Sequence, residues 1–207
     1  NLSLNCKGQL IDLSTPKVMG ILNITSDSFY DGGQFKDSKS ILVQTEKLIS
    51  EGATFVDIGA YSSRPGADFV SENEELHRII PVVELILKHF PKTLISIDSF
   101  RANVIRECVN AGAVISNDIS AGHLDHQMMK TIGELGIPYI MMHMKGTPQT
   151  MQNLTDYDHL VTEIFNYFSE RINLAKQHDI IDIVIDPGFG FAKTVSQNYE
   201  LLGKLEF

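Results

Sequence analysis

The sequence predicts an α/β protein of the (β/α)8 barrel class, and two observations support this prediction. First, six short apolar runs rich in β-branched residues alternate with longer helical patterns. Second, each run ends in a polar residue, as strands do where their carboxyl ends form the mouth of a barrel. A doubly wound sheet is the alternative, because alternating βα units permit either architecture. The runs are VMGILN, TFVD, LISID, AVISN, YIMMH and DIVID, ending at Asn23, Asp57, Asp98, Asn117, His143 and Asp186.

The chain opens with a predicted β-hairpin and then supplies about six of the eight βα units of a full barrel. Apolar and polar residues alternate on both sides of Lys7 and Gly8, which is typical of two short strands joined by a tight turn. Such a hairpin could plug the bottom of the barrel. A complete barrel takes about 250 residues. We therefore expect a single barrel domain over residues 1–207 that is incomplete at its C-terminus.

Six helices are expected after the six strands. Pro81 is expected to bend or break the second helix, because proline removes a backbone donor. Ser71, with Glu74 three residues later, forms a predicted capping box for that helix. Ser196 is the predicted N-cap of the last helix. The predicted helices span about 39–51, 72–90, 101–111, 126–135, 159–177, and 197 to the end.

The composition favours one globular domain and argues against several partners. Of the 207 residues, 43% are hydrophobic and 21% are charged, so the chain can bury a substantial core. No apolar run approaches the roughly 20 residues needed to cross a bilayer, and no signal peptide is evident, so we expect a cytoplasmic protein with no membrane partner. A formal charge of −9 with scattered lysines and arginines argues against nucleic acid. Cys6 and Cys108 have no metal-binding spacing and are expected to be free thiols, with Cys108 in a helix core.

Long, polar connections after the first, second and fifth strands are predicted to be functional loops. Asn23 and the serine and aspartate residues that follow it, including Asp31, offer the oxygen ligands that Mg²⁺ prefers. Turn stabilisation by the same side chains is the alternative. Arg64 in the second loop could bind an anion such as pyrophosphate through two hydrogen bonds, although it could also be an ordinary surface arginine.

Two carboxylates and one amide should line the barrel mouth from separate strands. Asp98, Asn117 and Asp186 each end a predicted strand, and a carboxylate there matches a ligand that presents adjacent N–H groups, such as guanine or a pterin. The alternative for any one of them is a helix N-cap.

Aromatic and methionine side chains near the same mouth could contact a flat ligand. Phe189 and Phe191 follow the last strand and could sandwich a planar ring. Met142 could cover such a ring or simply fill the core. Lys193 should lie close to the start of the next helix.

In order and spacing, six segments resemble the dihydropteroate synthase family of folate biosynthesis. The resemblance implies a pterin-binding transferase that joins p-aminobenzoate to 6-hydroxymethyl-7,8-dihydropterin pyrophosphate with Mg²⁺, forming 7,8-dihydropteroate and pyrophosphate. It also implies a target of sulfonamides, which would compete for the p-aminobenzoate position, and a homodimer. The segments are ILNITSDSFYDGG, DIGAYSSRPGA, SIDSF, ISNDISAG, MMHMKGTPQTMQ and VIDPGFGFAK.

The resemblance further implies a role for individual residues. Asn23 would contact Mg²⁺ and pyrophosphate, Asp57 would support the pterin pocket, and Met142 would pack on the pterin ring. The edge of the pterin would be held by Asp98, Asn117 and Asp186. Catalysis would depend on charge stabilisation by Asp98, Asp186 and Arg64. The p-aminobenzoate slot would be shaped by Phe29, Ser63, Pro65 and Phe191. The two mobile loops around the leaving group would be ordered by Asp31 and Arg64.

Two other functions stay open at this point. A methyltetrahydrofolate-dependent methyltransferase would hold a pterin with similar aspartate and asparagine residues, but it would have no use for a pyrophosphate site. A non-catalytic pterin-binding fragment is the second alternative.

Overall fold

The computed structural model describes residues 2–24, 38–61, 70–147, 150 and 154–206. Over this part of the chain, a two-stranded hairpin precedes six parallel strands that alternate with six helices. The strands are β1 Ser3–Cys6, β2 Gln9–Asp12, β3 Val18–Asn23, β4 Ala53–Gly59, β5 Leu94–Asp98, β6 Ile115–Asp118, β7 Tyr139–Met142 and β8 Ile183–Asp186. The helices are α1 Ser38–Ser50, α2 Glu72–His89, α3 Ala102–Asn110, α4 Met128–Leu135, α5 Leu160–Gln177 and α6 Val195–Leu202.

The strand order confirms the barrel class. The six strands of the main sheet run β3-β4-β5-β6-β7-β8, so each strand pairs in parallel with the next strand in sequence. A doubly wound sheet instead reverses its strand order near the middle. The doubly wound alternative is therefore wrong, and the mouth lies where the six strands end.

The N-terminal hairpin closes the bottom of the barrel, as predicted. Strands β1 and β2 pair across Lys7 and Gly8, whose φ angles of 50° and 94° match a type I′ turn. The backbone N–H of Asn5 donates to Asp182 Oδ2 at 2.6 Å and ties the hairpin to the residue before β8. Buried side chains of the hairpin and of the strands' amino ends form one apolar cluster: Leu4, Cys6, Phe55, Leu94 and Ile115.

Helix α2 continues through Pro81 from Glu72 to His89, so of the predicted bend or break the break is wrong. Pro81 itself is exposed. Its neighbours Ile79, Val82 and Val83 are completely buried against the strands. Burial of this apolar face offsets the hydrogen bond that proline cannot donate.

The helix caps agree with the prediction at one helix and differ at another. Ser71 Oγ accepts a hydrogen bond from the backbone N–H of Glu74 at 3.2 Å, which confirms the N-cap of α2. The N-cap of α6 is Thr194, not Ser196. Thr194 Oγ1 accepts from the Gln197 N–H, and the Gln197 side chain accepts from the Thr194 N–H at 2.8 Å. This reciprocal pair fixes the start of α6 two residues earlier than the sequence suggested.

Both cysteines are free and buried, and Cys108 lies in the core between α3 and the sheet. Burial raises the pKa of Cys6 to about 11, and the charge of Asp182 adds to this effect. Burial also raises the pKa of Cys108. None of the described helices is both long enough and apolar enough to span a membrane.

Candidate active site

The register of the sheet places three of the predicted residues in one row across the mouth. Asn23 on β3 pairs with Gly59 on β4, Gly59 pairs with Asp98 on β5, and Asp98 pairs with Asn117 on β6. Gly59 has no side chain, and a Cβ placed there would lie 3.2 Å from Asp98 Oδ2 and 3.5 Å from Asn23 Oδ1. The Asn23 and Asp98 side chains therefore both lie over Gly59.

Asp57 lies below this row and fixes the orientation of Asn117. Strand β4 continues to Gly59, so the prediction that it ends at Asp57 is wrong, and Asp57 points into the barrel from inside the strand. Its Oδ2 accepts a hydrogen bond from Asn117 Nδ2 at 3.0 Å. Because the amide nitrogen of Asn117 is directed at Asp57, its amide oxygen is turned away and can accept a hydrogen bond from a ligand.

Polar atoms at this depth are only partly satisfied. Asp57 Oδ1 and Ser96 Oγ, which belong to paired residues of β4 and β5, are buried without a hydrogen-bond partner among the described residues. Burial raises the pKa of Asp57, while Ser96 and Asn117 oppose that shift. The interior of the barrel directly below the mouth is therefore polar.

Asp98 is destabilised as an anion by its surroundings. Burial raises the pKa of Asp98 well above its usual range, and the negative charges of Asp57, Glu75 and Asp118 raise it further. A ligand that donates hydrogen bonds or carries positive charge relieves this cost when it binds. The mouth is therefore suited to a ligand with an edge of N–H groups.

The opposite side of the mouth combines a carboxylate with an apolar wall. Asp186 ends β8 opposite Met142 of β7, and its Oδ1 accepts from the Gly188 N–H at 2.8 Å. Met142 is buried in a small cluster with Ile119, and Phe191 packs against that cluster. The structure thus brings Met142 and Phe191 together beside Asp186.

Comparison with known proteins shows the family. Residues 19–207 match the family described as pterin binding enzyme. The dihydropteroate synthase of Haemophilus influenzae is 43% identical over 206 residues, which cover 99% of this chain and 74% of the relative. The chain belongs to the dihydropteroate synthase family. The Escherichia coli dihydropteroate synthase is also 43% identical, over 99% of this chain and 72% of the relative.

Solved structures of dihydropteroate synthases share the fold. The Yersinia pestis enzyme in a sulfonamide drug complex has a TM-score of 0.89 and 41% identity, over 98% of this chain and 74% of that one. The Xanthomonas albilineans enzyme with 4-aminobenzoic acid has a TM-score of 0.87 and 37% identity, over 99% of this chain and 72% of that one. The barrel class and the predicted family are thereby confirmed.

Several predicted residues of the dihydropteroate synthase site are not brought together by this structure. Phe189 is 40% exposed and lies with Val195 and Tyr199 in a surface groove beside α6, so the prediction that it covers the mouth is wrong. The β7 strand ends at Met142, one residue before the predicted His143. Five further predicted residues lie outside the described residues: Phe29, Asp31, Ser63, Arg64 and Pro65.

Sequence reasoning missed Asp118, which organises the loop after β6. Asp118 is completely buried, and its oxygens accept hydrogen bonds from the Ser120 N–H, the Gly122 N–H and the Tyr139 hydroxyl at 2.7–2.8 Å. Burial raises the pKa of Asp118, and these hydrogen bonds oppose the shift. An aspartate followed by Ser and Gly at positions two and four is typical of such a turn, and that spacing could have identified it.

Proposed function

We propose that this chain catalyses the dihydropteroate synthase reaction, joining p-aminobenzoate to 6-hydroxymethyl-7,8-dihydropterin pyrophosphate with release of pyrophosphate. The supporting observation is the row of Asn23, Asp98 and Asn117 across the mouth, backed by Asp57. The relatives that carry the synthase name favour this reaction over methyl transfer to a corrinoid. A Xanthomonas albilineans synthase of 32% identity has been solved in complex with 7,8-dihydropteroate. The cytoplasmic location and the homodimer remain predictions.

In this proposal the mouth binds the pterin through its N–H edge. The carboxylates of Asp98 and Asp186 and the amide oxygen of Asn117 accept hydrogen bonds from the ring, and Met142 packs on its face. Asp57 holds Asn117 in the required orientation.

The same carboxylates stabilise the charge that develops during the reaction. The C–O bond to pyrophosphate breaks with its electron pair leaving on oxygen, and positive charge spreads from the pterin methylene into the ring. The negative charge of Asp98 and Asp186, both half-buried at the mouth, stabilises that cation electrostatically. The amine of p-aminobenzoate then forms the new C–N bond and loses a proton, and no strong general base is needed because an arylamine is already a neutral nucleophile.

The residues at the mouth fit a hard cation that is held mainly by substrate. Asn23 is exposed, carries an amide oxygen and lies next to Asp98, while the described residues contain no group of three or more His, Cys, Asp or Glu side chains that could hold a metal. We propose that Asn23 contributes a ligand to Mg²⁺, with the other ligands coming from pyrophosphate and water. When bound, Mg²⁺ would neutralise charge on the leaving pyrophosphate.

The second substrate is proposed to lie against Phe191. By resemblance, Phe29, Ser63 and Pro65 would complete the p-aminobenzoate slot, and Asp31 and Arg64 would help order the loops around pyrophosphate. Phe191 is the member of this set that the structure describes, and its contact with the Met142 cluster places a ring at the edge of the mouth.

Formation of dihydropteroate by the purified protein tests the proposal. Product should form from p-aminobenzoate and the pterin pyrophosphate only with added Mg²⁺, and a chelator should abolish it. Asn23→Ala should raise the Mg²⁺ concentration needed for half-maximal rate, because one ligand is lost. Calorimetric titration of the pterin pyrophosphate provides a second readout. Tight pterin binding without product would overturn the proposed reaction and favour a non-catalytic binding protein.

A further inference from the structure

Lys193 is a buried lysine in the connection between β8 and α6 whose three ammonium donors all have partners. Its Nζ donates to the carbonyl oxygens of Gly188 and Phe191, each at 3.0 Å, and to His143 Nδ1 at 2.9 Å. The side chains of Lys193 and His143 are 8% and 2% exposed. Fully buried lysines are rare unless their charge has partners, so the three hydrogen bonds are what allow Lys193 to be buried here.

The charge state of the pair matches this geometry. Burial lowers the pKa of His143 to about 3, with the positive charge of Lys193 adding to the effect, so the ring is neutral and Nδ1 can accept a hydrogen bond. Burial lowers the pKa of Lys193 to about 8. The negative charge of Asp186 on β8 opposes this shift, and the positive charge of Lys145 after β7 adds to it. Glu163 of α5 in turn pairs with Lys145 at 3.0 Å. The lysine is therefore mostly charged at neutral pH and loses its proton under mildly alkaline conditions.

Two of these hydrogen bonds fold residues 188–193 around the Lys193 ammonium, and the third joins this segment to His143, directly after β7. A Cβ placed at Gly188 would lie 2.1 Å from the His143 carbonyl oxygen, so the segment packs directly on that strand and residue 188 must be glycine. Tyr157 Oη donates to the Ala192 carbonyl at 2.8 Å on the other side of Lys193. The backbone that carries Phe191 is thus fixed from both directions.

We propose that Lys193 is a positioning residue for the second substrate, because it ties the Phe191 and Gly188 carbonyls to β7 and so fixes the Phe191 ring at the p-aminobenzoate slot. This inference rests on the proposed function, which places p-aminobenzoate against Phe191. Because Lys193 is buried behind this segment, it would act without touching either substrate. It acts through the backbone of the segment that follows Asp186.

Steady-state kinetics of Lys193→Met, with each substrate varied in turn, test the inference. Methionine keeps the apolar stem and removes the ammonium. We expect the KM for p-aminobenzoate to rise about tenfold, since hydrogen bonds from a buried charged donor are lost. The KM for the pterin pyrophosphate and kcat should change by less than about threefold. A loss of folded protein alone would lower the apparent kcat and leave both KM values unchanged.

The matched control is Lys130→Met, which removes a lysine that is 64% exposed on α4 and should leave all three constants unchanged. An unchanged KM for p-aminobenzoate in folded Lys193→Met, or an equal rise in both KM values, overturns the inference. Absence of turnover in the unmodified protein and in Lys130→Met overturns the proposed function instead.

If Lys193→Met does not fold, the pH dependence of the KM for p-aminobenzoate in the unmodified protein tests the inference. The KM for p-aminobenzoate should rise above about pH 8, because a neutral amine donates weaker hydrogen bonds to the Gly188 and Phe191 carbonyls than the ammonium does. A flat profile from about pH 7 to about pH 9.5 overturns the inference.

Discussion

Asp57 and Asp98 are neighbouring carboxylates with different tasks. Asp57 is 5% exposed and makes its hydrogen bond to Asn117, so it acts on another side chain. Asp98 is half-buried, faces Asn23 across Gly59 and is open to a ligand. Two neighbouring carboxylates are therefore distinguished by their depth in the barrel and by their hydrogen-bond partners.

Asp57→Asn should weaken pterin binding although Asp57 does not face the ligand. The neutral amide oxygen accepts a hydrogen bond from Asn117 less strongly than the carboxylate does, and the amide nitrogen cannot accept one at all. We expect the Kd of the pterin pyrophosphate, measured by calorimetry, to rise about tenfold. Asp12→Asn, at the exposed bottom of the barrel, is the matched control and should leave the Kd unchanged. An unaltered Kd in Asp57→Asn would show that Asn117 is oriented by other contacts.

Asp98→Asn should stabilise the protein at neutral pH while it weakens binding. The pKa of Asp98 is raised in the folded state, so between its unfolded and folded pKa values the folded protein binds more protons. The contribution of Asp98 to the free energy of unfolding therefore falls as pH rises above about 4. Removing the charge should raise Tm at pH 7 by about 2–4 °C for each kcal/mol gained, and the gain should shrink toward pH 4.

Thermal unfolding of Asp98→Asn across this pH range provides the measurement. Asp12→Asn is the opposite case, because the Ser14 hydrogen bonds lower the pKa of Asp12, and it should not raise Tm at neutral pH. A Tm for Asp98→Asn below that of the unmodified protein at pH 7 would mean that Asp98 stabilises the fold as an anion.

At the scale of secondary-structure elements, helix starts are set by side-chain geometry more than by composition. Helix α6 has two hydroxyl residues near its start, and only Thr194 has a glutamine three positions later that reaches back to its own N–H. This start also places Asn198 so that its Oδ1 accepts from the Gly190 N–H at 2.8 Å. The cap therefore connects α6 to the segment that carries Phe191.

Replacement of the two hydroxyl residues one at a time separates the true cap from the predicted one. Thr194→Ala should lower the free energy of unfolding by about 1 kcal/mol, because the N–H of Gln197 loses its partner. Ser196→Ala, two residues later, should change it by less than about 0.5 kcal/mol. Urea unfolding of both variants gives the values. Equal losses would show that both hydroxyls contribute to capping.

At the scale of the whole molecule, the barrel has an apolar floor and a polar mouth. Leu4, Phe55 and Leu94 belong to the cluster at the floor, and Asp57, Ser96 and Asp98 lie further along the same two sheet strands, toward the mouth. Residues at the floor of such a barrel support stability, whereas chemistry is expected at the mouth. The hairpin should therefore affect folding and leave catalysis unchanged.

Leu4→Ala should destabilise the protein by about 2–5 kcal/mol, because it removes a buried side chain from the floor. Leu10→Ala on the partner strand is the matched control, since Leu10 is 72% exposed and should change stability little. The rate per folded molecule should be the same in both variants. Chemical unfolding and activity at saturating substrate check both expectations, and a lower kcat in folded Leu4→Ala would connect the floor to the mouth.

The sequence by itself determined the order of the βα units, the hairpin and three of the six strand ends, at Asn23, Asp98 and Asp186. The predicted ends at Asp57, Asn117 and His143 differ from the structure by one or two residues. Local periodicity was sufficient for this, since alternate strand residues share a face and helical residues recur every three to four positions. Thus Asn23, Asp98 and Asn117 were predicted at the mouth, and the register places them in one row there.

Only the tertiary structure decided which of these residues contact one another. The Asp57 carboxylate accepts a hydrogen bond from Asn117, which is 60 residues away in the sequence. The hydrogen bond between Lys193 and His143 joins residues that are 50 positions apart. Such partners depend on the register between strands and on the path of loops, neither of which is encoded in the spacing of one segment. For the same reason Phe189 and Phe191, two residues apart, face different parts of the molecule.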